Sequence, residues 1–453
     1  MSKRVLFGTD GIRGKANIYP MTGEVAFTLG RAITSHFQRF RKNYRPLIVI
    51  GKDTRLSCYM LEQALSAGVC AQGGRGILTG PLPTPGVAFL VESMRADAGV
   101  MISASHNEYW DNGIKIFDGS GHKLPDEVEL ELEAMVLNPA GIESKVDGDL
   151  GSTKRLDEVI GRYIVHAKSA FDNKKSLEGM RLVLDCANGA AYKVAPMVFS
   201  ELGAEVLVIG ASPNGTNIND NTGAMFPEAC AEKVMRYRAD LGICLDGDAD
   251  RLILVDNQGN VVNGDRVIGV CARYLRDKGD LANSKEVVGT IMSNLGLEHY
   301  LRDLGLALHR TKVGDRYIIE QMRKSGALLG GEPSGHLIFR NYSTTGDGIV
   351  SALKVIECML YYKKSFAELA SEVKLYPQIL KNVTTKSRPP LDSVPRLMAA
   401  QEKAIRELGD RGRIVLRYSG TGPLVRVMVE GEESDQVHRV CSELEQVLVE
   451  ELT

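Results

Sequence analysis

Apolar runs that stop abruptly at glycine, serine, asparagine or aspartate recur along this chain and constrain its fold more than any other feature. Leu47-Ile-Val-Ile-Gly-Lys-Asp-Thr-Arg55, Leu182-Val-Leu-Asp-Cys-Ala-Asn-Gly189 and Val287-Val-Gly-Thr-Ile-Met-Ser-Asn294 each run on into a helical pattern. Strands buried on both faces read as unbroken apolar runs, and α/β sheets keep their ligands outside the carboxyl ends of such strands. Repeated βα units are therefore expected, each with its polar end at a sheet rim.

At 453 residues the chain exceeds one core, so three or four domains of ~100 to 150 residues follow. Turn-rich stretches place the boundaries near residue 155, at the hairpin-like Asp256-Asn257-Gln258-Gly259 and around Tyr376-Pro377. The expected domains are 1–155, 156–257, 258–372 and 373–453. In the last, Leu397 to Leu408 has an amphipathic helical pattern, while Arg413 to Tyr418 and Leu424 to Val429 read as strands flanking a glycine-rich turn. That makes a small α+β domain presenting one loop.

A net charge of -2 offers no long-range attraction to nucleic acid or anionic membrane, so phosphate recognition must come from locally placed cations. Neither a signal-type leader nor a membrane-length apolar stretch is present, and a cytoplasmic protein is expected. The eight cysteines lack C-x-x-C pairs and read as reduced core residues.

Four clusters can carry chemistry. Val100-Met-Ile102 ends in Ser103-Ala-Ser-His-Asn107, which delivers Ser105 to a strand end, either as a nucleophile or as a turn or cap residue. Asp246-Gly-Asp-Ala-Asp-Arg251 follows the apolar Leu241 to Leu245. Its alternating carboxylates repel one another unless a hard cation such as Mg²⁺ or Ca²⁺ neutralises them, and the competing reading is a solvated acidic turn. An EF-hand is excluded, because Arg251 stands at its glycine and Asn257 at its glutamate.

Gly330-Gly-Glu-Pro-Ser-Gly-His336 sets Glu332, Ser334 and His336 on one constrained loop suited to sugar hydroxyls, or merely a polar loop. Arg417-Tyr-Ser-Gly-Thr-Gly-Pro423 with Arg426 has the parts of an anion nest, or is an ordinary hairpin turn. Walker-A, dinucleotide and zinc-protease signatures are absent, so kinase, dehydrogenase and zinc readings lose their support.

Taken together these segments resemble the α-D-phosphohexomutase superfamily, most closely its bacterial phosphoglucosamine mutase branch. The resemblance rests on F-G-T-D-G-I-R-G from Phe7, I-S-A-S-H-N from Ile102, D-N-G-I-K-I-F from Asp111, D-C-A-N-G-A from Asp185 and D-G-D-A-D-R from Asp246. G-G-E-P-S-G-H from Gly330, T-T-G-D-G from Thr344 and R-Y-S-G-T-G-P from Arg417 complete it in the family's order. It implies three related α/β domains with mixed sheets and a C-terminal TATA-box-binding-protein-like domain around a central cleft.

By that resemblance Ser105 is phosphorylated, and Asp246, Asp248 and Asp250 hold Mg²⁺ together with an oxygen of the Ser105 phosphate. Glu332, Ser334 and His336 would meet the sugar, while Arg417, Ser419, Gly420, Thr421 and Arg426 would hold its non-reacting phosphate. Arg13, His106, Lys115 and Arg251 would be the cationic and proton-handling groups. The implied reaction interconverts glucosamine 6-phosphate and glucosamine 1-phosphate through glucosamine 1,6-bisphosphate.

The implied partner is a small phosphosugar, with neither nucleic acid nor membrane, and a homodimer is compatible with it. Four positions depart from the family pattern: Cys58, Glu108, Pro333 and Gly422. The residues alone leave open a phosphomannomutase/phosphoglucomutase, a non-catalytic sugar-phosphate binder or a metal-dependent sugar phosphatase.

Overall fold

The computed structural model describes residues 5–8, 10–39, 44–418 and 424–453, arranged around four sheets. The expected βα units are present: strand Leu47–Lys52 leads to helix Ser57–Ala71, Arg181–Asp185 to Val194–Glu201, and Glu286–Thr290 to Leu295–Asp303. Their strands are the apolar runs of the sequence, covered by helices.

The first sheet has the order Phe7–Gly8, Gly11–Lys15, Asp111–Asp118, Ala98–Ile102, Leu47–Lys52, Arg75–Pro81, Ser152–Arg155. Its last four strands are mutually parallel and the rest antiparallel. The second runs Val261–Val262, Leu252–Asp256, Leu241–Leu245, Arg181–Asp185, Glu205–Ile209. The third runs Ala307–Thr311, Glu286–Thr290, Leu329–Gly331, Leu337–Phe339, and the fourth Gln378–Thr384, Leu424–Gly431, Gly412–Tyr418. The turn at Asp256 to Gly259 lies inside the second sheet, where Leu254 and Val255 pair with Val262 and Val261, so that sheet extends past residue 257.

One device repeats in the three mixed sheets. A strand parallel to its inner neighbour turns back as an antiparallel hairpin: Ala98–Ile102 into Asp111–Asp118, Leu241–Leu245 into Leu252–Asp256, and Leu329–Gly331 into Leu337–Phe339. Every strand residue of the first two outgoing segments is buried; the first turn reaches the surface only at Glu108 to Trp110, and Asp246 to Asp250 of the second stay buried. Those turns carry Ser105, the three aspartates and the Glu332 loop. In the all-antiparallel fourth sheet the corresponding turn joins Gly412–Tyr418 to Leu424–Gly431. Its tip, including Ser419, Gly420, Thr421 and Gly422, lies outside the described residues.

One apolar core runs through the first three sheets, from Val49 through Leu184, Leu245 and Leu353 to Val373, and a separate one from Leu6 to Ile142 lies in the first sheet. The C-terminal sheet has a core of its own, from Val383 to Leu452. Hydrogen bonds join the two bodies near the chain crossing. Asn294 binds both backbone groups of Tyr376 at 2.9 and 3.0 Å, and Arg413 donates to the Ser293 carbonyl at 2.9 Å. All eight cysteines are free thiols. Among the described residues no helix is long and apolar enough to cross a membrane.

Candidate active site

Ser105 sits just beyond its strand with φ at 54°, in the left-handed region, and is 1% exposed. A non-glycine residue persists there only when its surroundings hold it. Two side chains supply the hold. Arg55, fully buried, donates to the carbonyls of Ser105 (3.2 Å) and Asn107 (2.6 Å), and Asn219, from the loop after the strand Glu205–Ile209, donates to the same pair at 2.9 and 3.0 Å.

Asp53 fixes Arg55 through an ion pair and accepts its backbone N–H at 2.9 Å. Cys58 donates its thiol to Asp53 at 3.2 Å, so this departure from the family pattern packs beneath the loop. Burial, then the Asp53 charge, pushes that thiol well above its usual range and leaves it unreactive. Replacing Arg55 by lysine removes the forked contact to both carbonyls. The expected result is a fall in kcat of about 100-fold with KM little changed, because mispositioning costs rate rather than ground-state binding. Steady-state kinetics on a variant whose melting is still cooperative checks this.

The aspartate turn approaches the same point. Ser105 Oγ donates to Asp246 Oδ2 at 2.5 Å and lies 3.5 Å from Asp250 Oδ1. Gly247 permits this approach, since a Cβ there would stand 2.5 Å from the Ser105 carbonyl oxygen. Thr84, at the start of a helix of the first sheet, clasps the turn from the other side. Its N–H donates to the Asp248 carbonyl at 2.9 Å and its hydroxyl to Asp248 Oδ2 at 2.5 Å.

Three carboxylates buried within reach of one ion are held at an electrostatic cost. The nearest ligand atoms of Asp246, Asp248 and Asp250 lie within 4.8 Å of one another. Burial, then the charges of Asp250 and Asp248, pushes Asp246 up to about 8. Asp250 goes the other way: burial opposes, but Lys115 and His336 hold it well below the usual carboxylate range. Lys115 donates to Asp248 at 2.9 Å and Asp250 at 3.0 Å, and these acids with Asp10 keep it charged despite burial.

Asp248 Oδ1 is buried with no hydrogen-bond partner. An orphaned hard oxygen beside two further carboxylates fits a divalent cation such as Mg²⁺.

The remaining expected residues divide into three groups. His106 places Nδ1 3.5 Å from Ser105 Oγ, and burial, with Arg251 and Arg13, lowers it to about 4, so it is neutral at pH 7. Arg13 pairs with Asp10, and Arg251 donates its backbone N–H to Asp246 Oδ1 at 3.1 Å while its side chain feels Asp250, Asp246 and Glu332. Glu332 accepts from Gly314 N–H at 3.1 Å and from the exposed Ser334 at 3.3 Å.

His336 differs from its loop neighbours. It is buried, its Nε2 accepts from Gly346 N–H at 3.1 Å, and its Nδ1 lies 3.8 Å from Asp250. It therefore turns toward the aspartate loop, whereas Ser334 on the same turn faces solvent. Arg417 and Arg426 stand directly opposite one another in the C-terminal sheet. Burial and Arg426 together lower Arg417 from its ordinary value. Like charges paired across strands destabilise a sheet unless an anion joins them.

Sequence reasoning passed over Arg55, Thr84, Asn219, Asp10, Lys123 and Asp315. Lys123 bridges Asp10 to Asp315, which lies 3.6 Å from His336, and so ties the first sheet to the third. Local signals existed for some: Arg55 ends an apolar strand, Thr84 sits between two prolines, and Asn219 and Asn221 belong to an asparagine-rich run that adopts positive φ.

Comparison with known proteins agrees with this architecture. Family models described as phosphoglucomutase/phosphomannomutase alpha/beta/alpha domains I, II and III match residues 4–140, 161–259 and 263–376, and the C-terminal domain matches 380–447. The phosphoglucosamine mutase of Lawsonia intracellularis is 49% identical over 448 residues, covering 99% of each chain. That of Nitratidesulfovibrio vulgaris is 50% identical over 453 residues and covers all of both. A crystal structure of a phosphoglucomutase/phosphomannomutase family protein from Burkholderia thailandensis shares the fold with a TM-score of 0.82, at 22% identity and 97% and 96% coverage. Matched domain by domain, and half identical to these relatives along its length, the chain belongs to the phosphoglucomutase/phosphomannomutase family, among the phosphoglucosamine mutases.

Proposed function

We propose that the chain interconverts glucosamine 6-phosphate and glucosamine 1-phosphate through phosphorylated Ser105 and glucosamine 1,6-bisphosphate. The observation that carries this is the hydroxyl of Ser105 bound at 2.5 Å to one of three buried carboxylates, with Lys115 on the other two. A solvated acidic turn has no reason to bury three carboxylates around a serine.

Phosphoryl transfer asks the protein for alignment and charge neutralisation. Held by Asp246, Asp248, Asp250 and an oxygen of the Ser105 phosphate, Mg²⁺ would neutralise charge on the transferring group. The sugar's O1 oxygen attacks phosphorus, the bond from phosphorus to Ser105 Oγ breaks, and the O1 proton ends on Oγ. His106 is placed to relay it, since the nearby phosphate dianion would raise the ring's proton affinity. Lys115, Arg13 and Arg251 supply fixed positive charge around the reacting oxygens. The bisphosphate then turns end for end and returns its 6-phosphoryl group to Oγ, so no phosphoryl group is lost.

Glu332, Ser334 and His336 are proposed to serve the sugar loop, His336 by bracing Asp250. Arg417 and Arg426, with Ser419, Gly420 and Thr421, hold the phosphate not being transferred. Arg417→Ala should raise KM for the phosphosugar about 10- to 100-fold while changing kcat less, as expected for a charge-assisted clamp. The separate C-terminal core supports a domain that opens and closes over the cleft during reorientation. A cytoplasmic enzyme is proposed.

The test is a panel of glucosamine, glucose and mannose 6-phosphates assayed for the 1-phosphate, with inorganic phosphate measured in parallel. Preferred conversion of the amino sugar supports the reading. Preference for mannose or glucose moves it to the sister activity, and net phosphate release makes it a phosphatase.

A further inference from the structure

Beside the Ser105 turn, between the first two sheets, lies a cavity of about 370 Å³. Tyr109 and Trp110 form an edge-to-face pair with ring centroids 5.2 Å apart on one side, with Met225 and Phe226 opposite. All four are at least 39% exposed, an unusual concentration of large apolar side chains on a chain whose other surfaces are mixed. Glu108 and Asp220 add carboxylates, and no lysine or arginine is among the described lining residues.

This lining opposes the character of the catalytic centre, where Arg13, Lys115 and Arg251 gather. A phosphosugar would find no cation here. Aromatic faces with carboxylates, and no lysine or arginine among the described lining residues, suit a protonated amine on an apolar body.

The walls are held in place before any ligand arrives. Asp185 accepts from Thr222 Oγ1 at 2.6 Å and from Gly223 N–H at 2.8 Å, anchoring the strand-to-helix connection that bears Met225 and Phe226. Two lining residues reach the catalytic turn: His106, which is part of it, and Asn219, which donates to the Ser105 and Asn107 carbonyls from the second sheet's side. An occupant of the cavity would therefore touch the residues that flank and hold the backbone presenting Ser105.

We propose that this cavity is a regulatory site for an organic ammonium ion carried on an aromatic or apolar body, and that its occupant alters the presentation of Ser105. The binding half stands independently of the mutase reading; the effect on turnover rests on it.

Trp110 is the only tryptophan in the chain, so its emission reports the cavity directly. The full-length enzyme is titrated with 2-phenylethylammonium and, separately, with the anion of like shape, 3-phenylpropionate. The ammonium ion should change Trp110 emission saturably, the anion should not, and excess glucosamine 6-phosphate should not displace it. Asp220→Asn combined with Phe226→Ala should weaken binding about tenfold or more. At saturation the amine should change kcat at least about twofold while leaving KM for the phosphosugar nearly constant.

Equal response to both ions, no saturable response, or displacement by the phosphosugar overturns the site. Saturable binding with unaltered kcat overturns the regulatory half. If the protein has no mutase activity, the fluorescence titration still decides the site by itself.

Discussion

Ser105→Ala is expected to lower kcat by about four orders of magnitude or more, because no neighbouring group can store the phosphoryl unit between half-reactions. The substitution is conservative for the fold. Alanine carries the same Cβ at φ 54°, and the contacts from Arg55 and Asn219 go to backbone carbonyls that it keeps. What is lost is Oγ and its 2.5 Å bond to Asp246. Affinity for glucosamine 6-phosphate should change by no more than about threefold, since the proposed phosphate clamp and sugar loop are untouched.

Intact mass and peptide mapping supply the complementary readout. The wild-type peptide spanning Ser105 should gain one phosphoryl group on exposure to the bisphosphate, and the alanine protein should gain none. A variant that still turns over at near the wild-type rate would remove Ser105 from the reaction and leave its buried bond to Asp246 a structural one.

Ser105 and the three aspartates were legible one motif at a time, because each lies where an apolar strand gives way to polar residues, whereas Arg13 and Lys115, inside the strands Gly11–Lys15 and Asp111–Asp118, came only from the family resemblance. The same rule exposed the α/β class, since strands such as Leu241–Leu245 and Ala98–Ile102 are buried throughout and have to be apolar. Less visible was the equivalence of the turns. Ser105, Asp246 to Asp250 and Glu332 occupy the same position in successive sheets, a hairpin closing a parallel strand, and that depends on pairing partners far away in sequence.

The supporting residues were hidden for a related reason. Nothing local to Asn219 says that its amide reaches across to the Ser105 and Asn107 carbonyls, or that Lys123 would bridge Asp10 to Asp315. His336 shows the converse limit. The loop spacing put it beside Ser334, but burial and the Gly346 N–H turn it inward toward Asp250.

The second large effect concerns the three carboxylates. Stripping divalent cations with a chelator is expected to cost about three orders of magnitude in kcat, restored by Mg²⁺, because charge on the transferring group would otherwise go uncompensated. The structure adds a pH signature. Burial and the two neighbouring aspartates raise Asp246 to about 8 in the absence of a cation. Below that pH a cation must displace a proton, so apparent affinity should climb by up to about tenfold per pH unit and level off above about 8.

The metal-free protein should show the matching stability change. A carboxyl raised on folding binds more protons in the native state, so its favourable contribution is complete below the usual carboxylate range and is lost as pH rises through about 8. Bound cation removes that loss by neutralising the ionised group. The Mg²⁺-induced rise in Tm should therefore be larger at pH 8.5 than at pH 6, measured at one total concentration on protein first treated with chelator. A rise that is equal at both values, or greater at pH 6, would mean that the cation binds without displacing a proton from Asp246, and that these three acids are not its cage.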